Sequence, residues 1–189
     1  NLGCIYQDLK QNENAIESYK NAVKINRSYA DAYNNLGNIL REIGDHEAAI
    51  ESLEWAVACK YDFAEAHNNL GKAFYDFGKI EESIESFKVA ISLKKNYPRA
   101  LYNLSLSYYD IGNEILHLQM LKKALDLKPY WSEAHLTLSR IKKYTKNDPQ
   151  ISEIHDLLSN NKLNEKDRIN FNFVLAKFYE DIQDYDNQF

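Results

Sequence analysis

Six glycines are all that this 189-residue chain contains, and they fall into two sets with one spacing. Gly3, Gly37 and Gly71 lie 34 residues apart, and so do Gly44, Gly78 and Gly112. A fixed period of this length marks an array of like units, and the chain holds about five and a half of them. Only three prolines accompany the glycines. A chain this poor in turn-makers is not a sandwich or a barrel, which needs a turn every few residues.

Aligned on the glycines, the rest of the chain falls into columns. Leucine precedes each member of the first set (Leu2, Leu36, Leu70), and the line continues as Leu104-Ser105 and Leu138-Ser139. Large side chains follow at Tyr6, Leu40, Phe74 and Tyr108, then small ones at Ala15, Ala49 and Ser83, with His117 departing from the rule. Tyr19, Leu53, Phe87 and Leu121 form another column, and Ala22, Ala56, Ala90 and Ala124 the next. Arg27, Tyr61, Lys95 and Pro129 close the pattern.

Within one period the apolar residues recur at helical spacing, as in Leu36, Leu40 and Ile43, then Ile50, Leu53 and Val57. The second glycine line falls between two such stretches, where a left-handed residue ends a helix and Asp45 offers an N-cap for the next. The first glycine line and the alanine columns lie inside helices. Glycine there costs about 1 kcal/mol relative to alanine, so a neighbouring helix must pack too closely for a side chain. The spacing predicts helices at 1–10, 12–25, 30–43, 46–59, 64–77, 80–93, 98–111, 114–127 and 132–145. Beyond these the register loosens. Lys146-Asn147-Asp148-Pro149 reads as a turn, Gln150–Ser159 as a weaker helix, and Asn160-Asn161-Lys162-Leu163-Asn164 as an insertion before a helix over Glu165–Asp181. Leu175-Ala176 returns 37 residues after Leu138-Ser139. Both ends cut a unit in the middle, and the only methionine is Met120, so a fragment of a longer array is expected.

These columns closely resemble the tetratricopeptide repeat (TPR), a helix–turn–helix unit of 34 residues. The resemblance covers essentially the whole chain. It implies an all-α fold, a right-handed superhelical solenoid of antiparallel helix pairs. The expected organisation is a partial repeat at 1–29, repeats at 30–63, 64–97 and 98–131, a divergent repeat at 132–164 and a partial terminal repeat at 165–189, all in one solenoid domain.

In that family the first helices of successive units line a concave groove. The column before each Leu-Gly pair reads Asn1, Asn35, Asn69 and Asn103, then Thr137. Such a ladder resembles the asparagine ladder in the TPR arm of O-linked N-acetylglucosamine transferase. Each amide offers an acceptor and two donors, which can hold an extended peptide by its backbone. The adjacent column (Asn34, Asn68, Tyr102), together with Asn38, and the next turn (Arg41, Tyr75, Tyr109, then Lys143 and Tyr144) complete the candidate groove. Its charges are mixed, with Asp31, Glu65 and Glu133 against Lys72, Arg99 and Arg140. A chaperone-type clamp for a C-terminal carboxylate would use Asn34, Asn38, Asn69, Arg99 and Asn103. Asparagine replaces its first lysine and last arginine, leaving one cation where charge-assisted bonds should supply the grip.

Other functions are disfavoured. The net charge is −5 with no basic run, so nucleic acid and anionic lipid are not expected partners. No signal peptide or membrane span is visible, and Cys4 and Cys59 read as free thiols, which favours a cytoplasmic setting. His46, His67, His117, His135 and His155 share no ligand spacing, so no metal is expected. His67 and His135 fall on a packing column. No nucleotide loop or nucleophile motif occurs, so no cofactor and no catalytic residue is assigned. Asp76, Glu81 and Glu82 read as solvated helix faces.

The expected function is therefore a non-enzymatic scaffold for protein–protein interaction, with self-association through uncapped ends as a bland alternative. A second reading comes from residues 148–189, which include Leu157-Leu158, Phe171-Asn172-Phe173-Val174-Leu175, Tyr179-Glu180-Asp181 and Asp184-Tyr185-Asp186 and close at Phe189. This stretch resembles the TPR arm that precedes a sulfotransferase domain in bacterial multidomain proteins, although Ile182-Gln183 stands where that group has Leu-Gly. It implies a substrate-presenting arm of a transferase, a sulfotransferase before an O-linked glycosyltransferase.

Overall fold

The computed structural model describes residues 2–159 and 163–183. Asn1, the Asn160-Asn161-Lys162 part of the insertion, and Asp184-Tyr185-Asp186 with Phe189 lie outside the described residues. All regular structure among the described residues is helical, in eleven helices. They are α1 (Leu2–Asp8), α2 (Asn12–Ile25), α3 (Ala30–Glu42), α4 (His46–Cys59), α5 (Ala64–Asp76), α6 (Ile80–Leu93), α7 (Pro98–Asp110), α8 (Glu114–Leu127), α9 (Ser132–Ser139), α10 (Pro149–Ser159) and α11 (Glu165–Asp181). None of them is long and apolar enough to cross a membrane. The chain divides into two compact units, Asn1–Met120 and the part from Leu121 onward.

In the first unit α1 packs on α2, α3 on α4 and α5 on α6, and each pair meets the next through α2–α3, α4–α5 and α6–α7. The two glycine lines account for this pairing. A Cβ added to Gly37 would lie 2.5 Å from Leu53 Cγ and 3.0 Å from the Ala49 carbonyl oxygen, and one on Gly71 would lie 2.6 Å from the Phe87 ring. The large side chain of each second helix thus rests on the bare backbone of the first, as the sequence predicts. Leu53 and Phe87 are almost wholly buried there. The second line turns the chain. Gly44, Gly78 and Gly112 have φ of 86°, 83° and 74°. The Asp45 N–H then reaches back to the Leu40 carbonyl (2.9 Å) and the Gly44 N–H to that of Arg41 (3.1 Å), a Schellman closure. Lys10, one period before Gly44, makes the same closure without a glycine, at φ 57°.

His117, which departs from its small-residue column, is fully enclosed, with Nδ1 2.7 Å from the Ser105 carbonyl oxygen. A buried polar ring is tolerable because it is bonded. His67 is likewise buried, and its Nε2 sits 2.8 Å from the Tyr61 carbonyl, tying α5 to the loop that enters it.

In the second unit the sequence reading needs correction. The predicted helix 132–145 stops at Ser139. One period beyond Gly112 the chain has Lys146, not a glycine, and the segment after Ser139 leaves the helix to bury Tyr144. That ring stands edge-on to Phe178 (6.0 Å between centroids) in a cluster with Ile151, Ile154, Phe171 and Val174, and its backbone N–H donates to Asp181 Oδ2 at 3.0 Å. Lys142 closes the loop by an ion pair with Asp148 at 2.6 Å. Burial of the aromatic ring is the gain set against the few local bonds a further helical turn would add. Tyr144 is therefore a core residue and not part of a groove. The helices α10 and α11 follow the predicted ranges closely, with Pro149 at the start of α10. Ser132 Oγ donates to the Asp167 carboxylate, and Lys166 pairs with Glu133 at 2.7 Å, which fixes α11 against α9.

His135 repeats the arrangement of His67, with Nε2 2.6 Å from the Pro129 carbonyl. Its other nitrogen, Nδ1, lies 2.6 Å from Gln150 Nε2, while Gln150 Oε1 accepts from Lys142 at 2.9 Å. The amide therefore turns its donor to the ring, and only the neutral imidazole with a proton on Nε2 satisfies both contacts. Burial holds His135 below its usual value of 6.5.

Two outcomes are expected. Gly37→Ala gains about 1 kcal/mol of helix propensity but forces Leu53 and the Ala49 carbonyl apart, so the net effect is a loss of about 1–2 kcal/mol, typical of an overpacked core; urea unfolding followed by circular dichroism measures it. For His135 the folded value lies below the unfolded one. Its stabilising contribution is then complete above 6.5 and lost as pH falls through the depressed folded value. The unfolding midpoint, read by Trp131 fluorescence in a Trp55→Phe background, should drop more steeply between about pH 7.5 and 5 with His135 present than in His135→Tyr.

Candidate peptide groove

The predicted groove residues lie on α3, α5 and α7 of the first unit, and their placement follows from how those helices meet. Asn34, Asn68 and Asn69 are buried, each less than a tenth exposed. Their amides bond to one another. Asn103 Nδ2 donates to Asn68 Oδ1 (3.0 Å), Asn68 Nδ2 to Asn69 Oδ1 (3.4 Å), Asn69 Nδ2 to Asn34 Oδ1 (2.9 Å) and Asn34 Nδ2 to Asn35 Oδ1 (3.4 Å). The run ends where Asn35 Nδ2 faces Cys4 Sγ at 4.0 Å. The column read as a ladder for a ligand is thus a continuous amide chain crossing three first helices. Asn35, Asn38, Tyr102 and Asn103 are half-buried and edge this chain.

One helical turn further on, the same offset recurs with charged partners. Arg41 Nη1 donates to Asp76 Oδ2 at 2.8 Å. Burial, and then the Asp110 carboxylate, push the Tyr75 phenol well above its ordinary value. Tyr109 is more than half exposed, with its ring 5.2 Å from that of His117. Asp76, read from sequence as a solvated face, is an inter-repeat partner, and the signal was present as an acid 35 residues after the basic Arg41.

Between α5 and α7 a pocket of about 170 Å³ opens, lined by Lys72, Tyr75, Asp76, Phe87, Asn103 and Leu106. Lys72 is half-buried. Burial, and then the positive charges of Arg41 and Arg99, hold its ammonium below the usual lysine value against the opposing pull of Asp76 and Glu42. The sequence marks Lys72 only as one of several groove charges and gives no hint of Leu106, because neither belongs to a column with a repeated identity. Among the described residues no group of three or more His, Cys, Asp or Glu side chains is arranged to hold a metal ion. Cys4 and Cys59 are free thiols, and Cys59 Sγ donates to the Arg27 carbonyl at 3.4 Å.

Comparison with known proteins agrees with the repeat fold. The family model described as TPR repeat matches residues 3–40, 37–78 and 71–112. Two MamA crystal structures are similar to the chain, one at 21% identity and a TM-score of 0.69 over 100% of this chain and 98% of that one. The pilF protein of Pseudomonas aeruginosa aligns at 20% identity and a TM-score of 0.79, covering 99% of this chain and 84% of its own. YrrB, described as a TPR protein with an unusual peptide-binding site, aligns at 23% identity and a TM-score of 0.64 over 70% of this chain and 68% of that one. No curated protein sequence matches significantly.

The amide chain has a measurable consequence. Asn69→Ala leaves Asn34 Oδ1 and Asn68 Nδ2 buried without a partner, which should cost about 1–3 kcal/mol. Asn38→Ala, at a half-buried site on the same face, should stay within about 0.5 kcal/mol of wild type. Paired urea titrations of the two variants distinguish them.

Proposed function

The chain belongs to the tetratricopeptide-repeat family, and from that premise we propose that it is an interaction scaffold holding an extended segment of a partner protein along α3, α5 and α7. One observation carries this reading. On that face the polar groups divide into a self-bonded interior chain and a fringe of half-buried side chains, and a pocket opens beside the fringe at Asn103. Asn103 gives one N–H to Asn68 and retains its carbonyl oxygen and second N–H for the main chain of a ligand. Asn35, Asn38, Tyr102 and Tyr109 supply further amide and aromatic contact. The likeness to YrrB, itself described as having a peptide-binding site, supports the class of ligand. Asn34, Asn68 and Asn69 set the spacing of the helices and position the fringe.

The alternative, a substrate-presenting arm of a sulfotransferase, rests on the resemblance of residues 148–189 alone. A sulfotransferase-like reading frame following the array would favour it.

Panning a random dodecapeptide library against the chain tests the scaffold reading. Peptides recovered by the wild type should bind Asn103→Ala about three- to tenfold more weakly, the loss of one or two ligand hydrogen bonds. Binding that survives the combined change of Asn35, Asn38 and Asn103 to alanine would exclude this face.

A further inference from the structure

We propose that the pocket between α5 and α7 receives a carboxylate side chain, glutamate or aspartate, from the bound segment, with Lys72 as its counter-charge. The proposal rests on the groove reading above and specifies what one part of the groove selects. Three observations lead to it.

The first is an unmatched cation. Lys72 lines the pocket half-buried, and no Asp or Glu among the described residues comes within ion-pair distance of it. The acid one turn along α5, Asp76, gives its Oδ2 to Arg41 instead. The charges acting on Lys72 are Arg41 and Arg99 on one side and Asp76 and Glu42 on the other. A half-desolvated ammonium without an ion-pair partner is stabilised by an incoming anion, through a charge-assisted hydrogen bond.

The second is shape and lining. A volume of about 170 Å³ is room for about five waters or for one short side chain. Phe87 and Leu106 form apolar wall beside the ammonium, matching a methylene stem that ends in a charge. A phosphate group fits less well. Its second negative charge would face Asp76, and Lys72 is the one cation among the residues lining the pocket.

The third is the position of Asn103 on the rim. Its open carbonyl oxygen can take the backbone N–H of the same ligand residue whose side chain enters the pocket, so main-chain and side-chain recognition meet at one residue. This differs from a clamp for a chain terminus. Two positions of such a clamp, Asn34 and Asn69, are bonded to each other beneath the surface.

The test uses four blocked probes: Ac-Ala-Leu-Glu-Leu-Ala-NH2, its glutamine and phosphoserine counterparts, and the glutamine peptide with a free C-terminal carboxylate. Binding is followed by NMR of the Lys72 side chain and of the Asn35 and Asn103 side-chain amides in the whole chain. The glutamate probe should bind at least fivefold more tightly than the glutamine probe at low salt and raise the Lys72 titration midpoint. That preference should vanish in Lys72→Gln and persist in Lys72→Arg. Equal affinity of the glutamate and glutamine probes, with Asn35 and Asn103 still shifting, overturns the proposal but leaves the groove reading standing. No amide shift with any probe overturns both. Tighter binding of the phosphoserine or free-carboxylate probe overturns the assignment of a carboxylate side chain.

Discussion

The fold depends on a bond that spans one repeat plus one residue. Asn69 to Asn34, Asn103 to Asn68, and Arg41 to Asp76 all join positions 35 apart, and in the second unit Ser132 and Asp167 do the same. The sequence repeats every 34 residues, so a side chain does not meet its own counterpart in the next unit but the residue after it. That offset explains why the asparagines come in adjacent pairs. One of each pair accepts from the repeat ahead while the other donates to the repeat behind. A single asparagine per repeat could not make both contacts. Once buried, the amides must all be satisfied, since each orphan costs about 1–3 kcal/mol. Their partners can only be each other, and the amide chain therefore sets how one first helix sits on the next.

Stitching of this kind decides which residues remain for a partner. A buried amide with both ends bonded has nothing to give without breaking the stack, whereas Asn103 closes the run and keeps its carbonyl oxygen and one N–H. Arg41 and Asp76 neutralise each other, and that pairing leaves Lys72 without a carboxylate. The unmatched charge is a by-product of the register, because the acid that could have answered Lys72 from its own helix is held by the preceding repeat.

Much of this was legible in the sequence where a residue has one steric reason to be there. Gly37 and Gly71 are readable because only a missing Cβ lets Leu53 and Phe87 rest on the backbone. Gly44, Gly78 and Gly112 are readable because a positive φ excludes most side chains. Lys10 was not, since it takes the same left-handed turn with a side chain and so erases the marker. The shortening of α9 was missed for a different reason. Its helical pattern continues past Ser139, and the competing gain, Tyr144 packed on Phe178, lies with a residue 34 positions away. The asparagine columns were visible as columns, but identity alone does not say whether a polar column faces a ligand or the neighbouring repeat. That depends on the offset of 35, which appears only when two helices are placed together.

The same distinction bears on where such an array can hold specificity. Columns that bond to one another across repeats cannot drift independently, because a change on one side orphans a buried group on the other. Asn34, Asn68 and Asn69 are constrained in this way. The column at 38, 72 and 106 reads Asn, Lys and Leu, three chemistries at one structural position, and none of the three is tied to a neighbouring first helix by a side-chain bond. It lies one turn from the amide chain and beside the pocket. A position that is geometrically fixed but chemically free is where a repeat protein can change its ligand without changing its stack, and here the middle member of that column carries the unmatched charge.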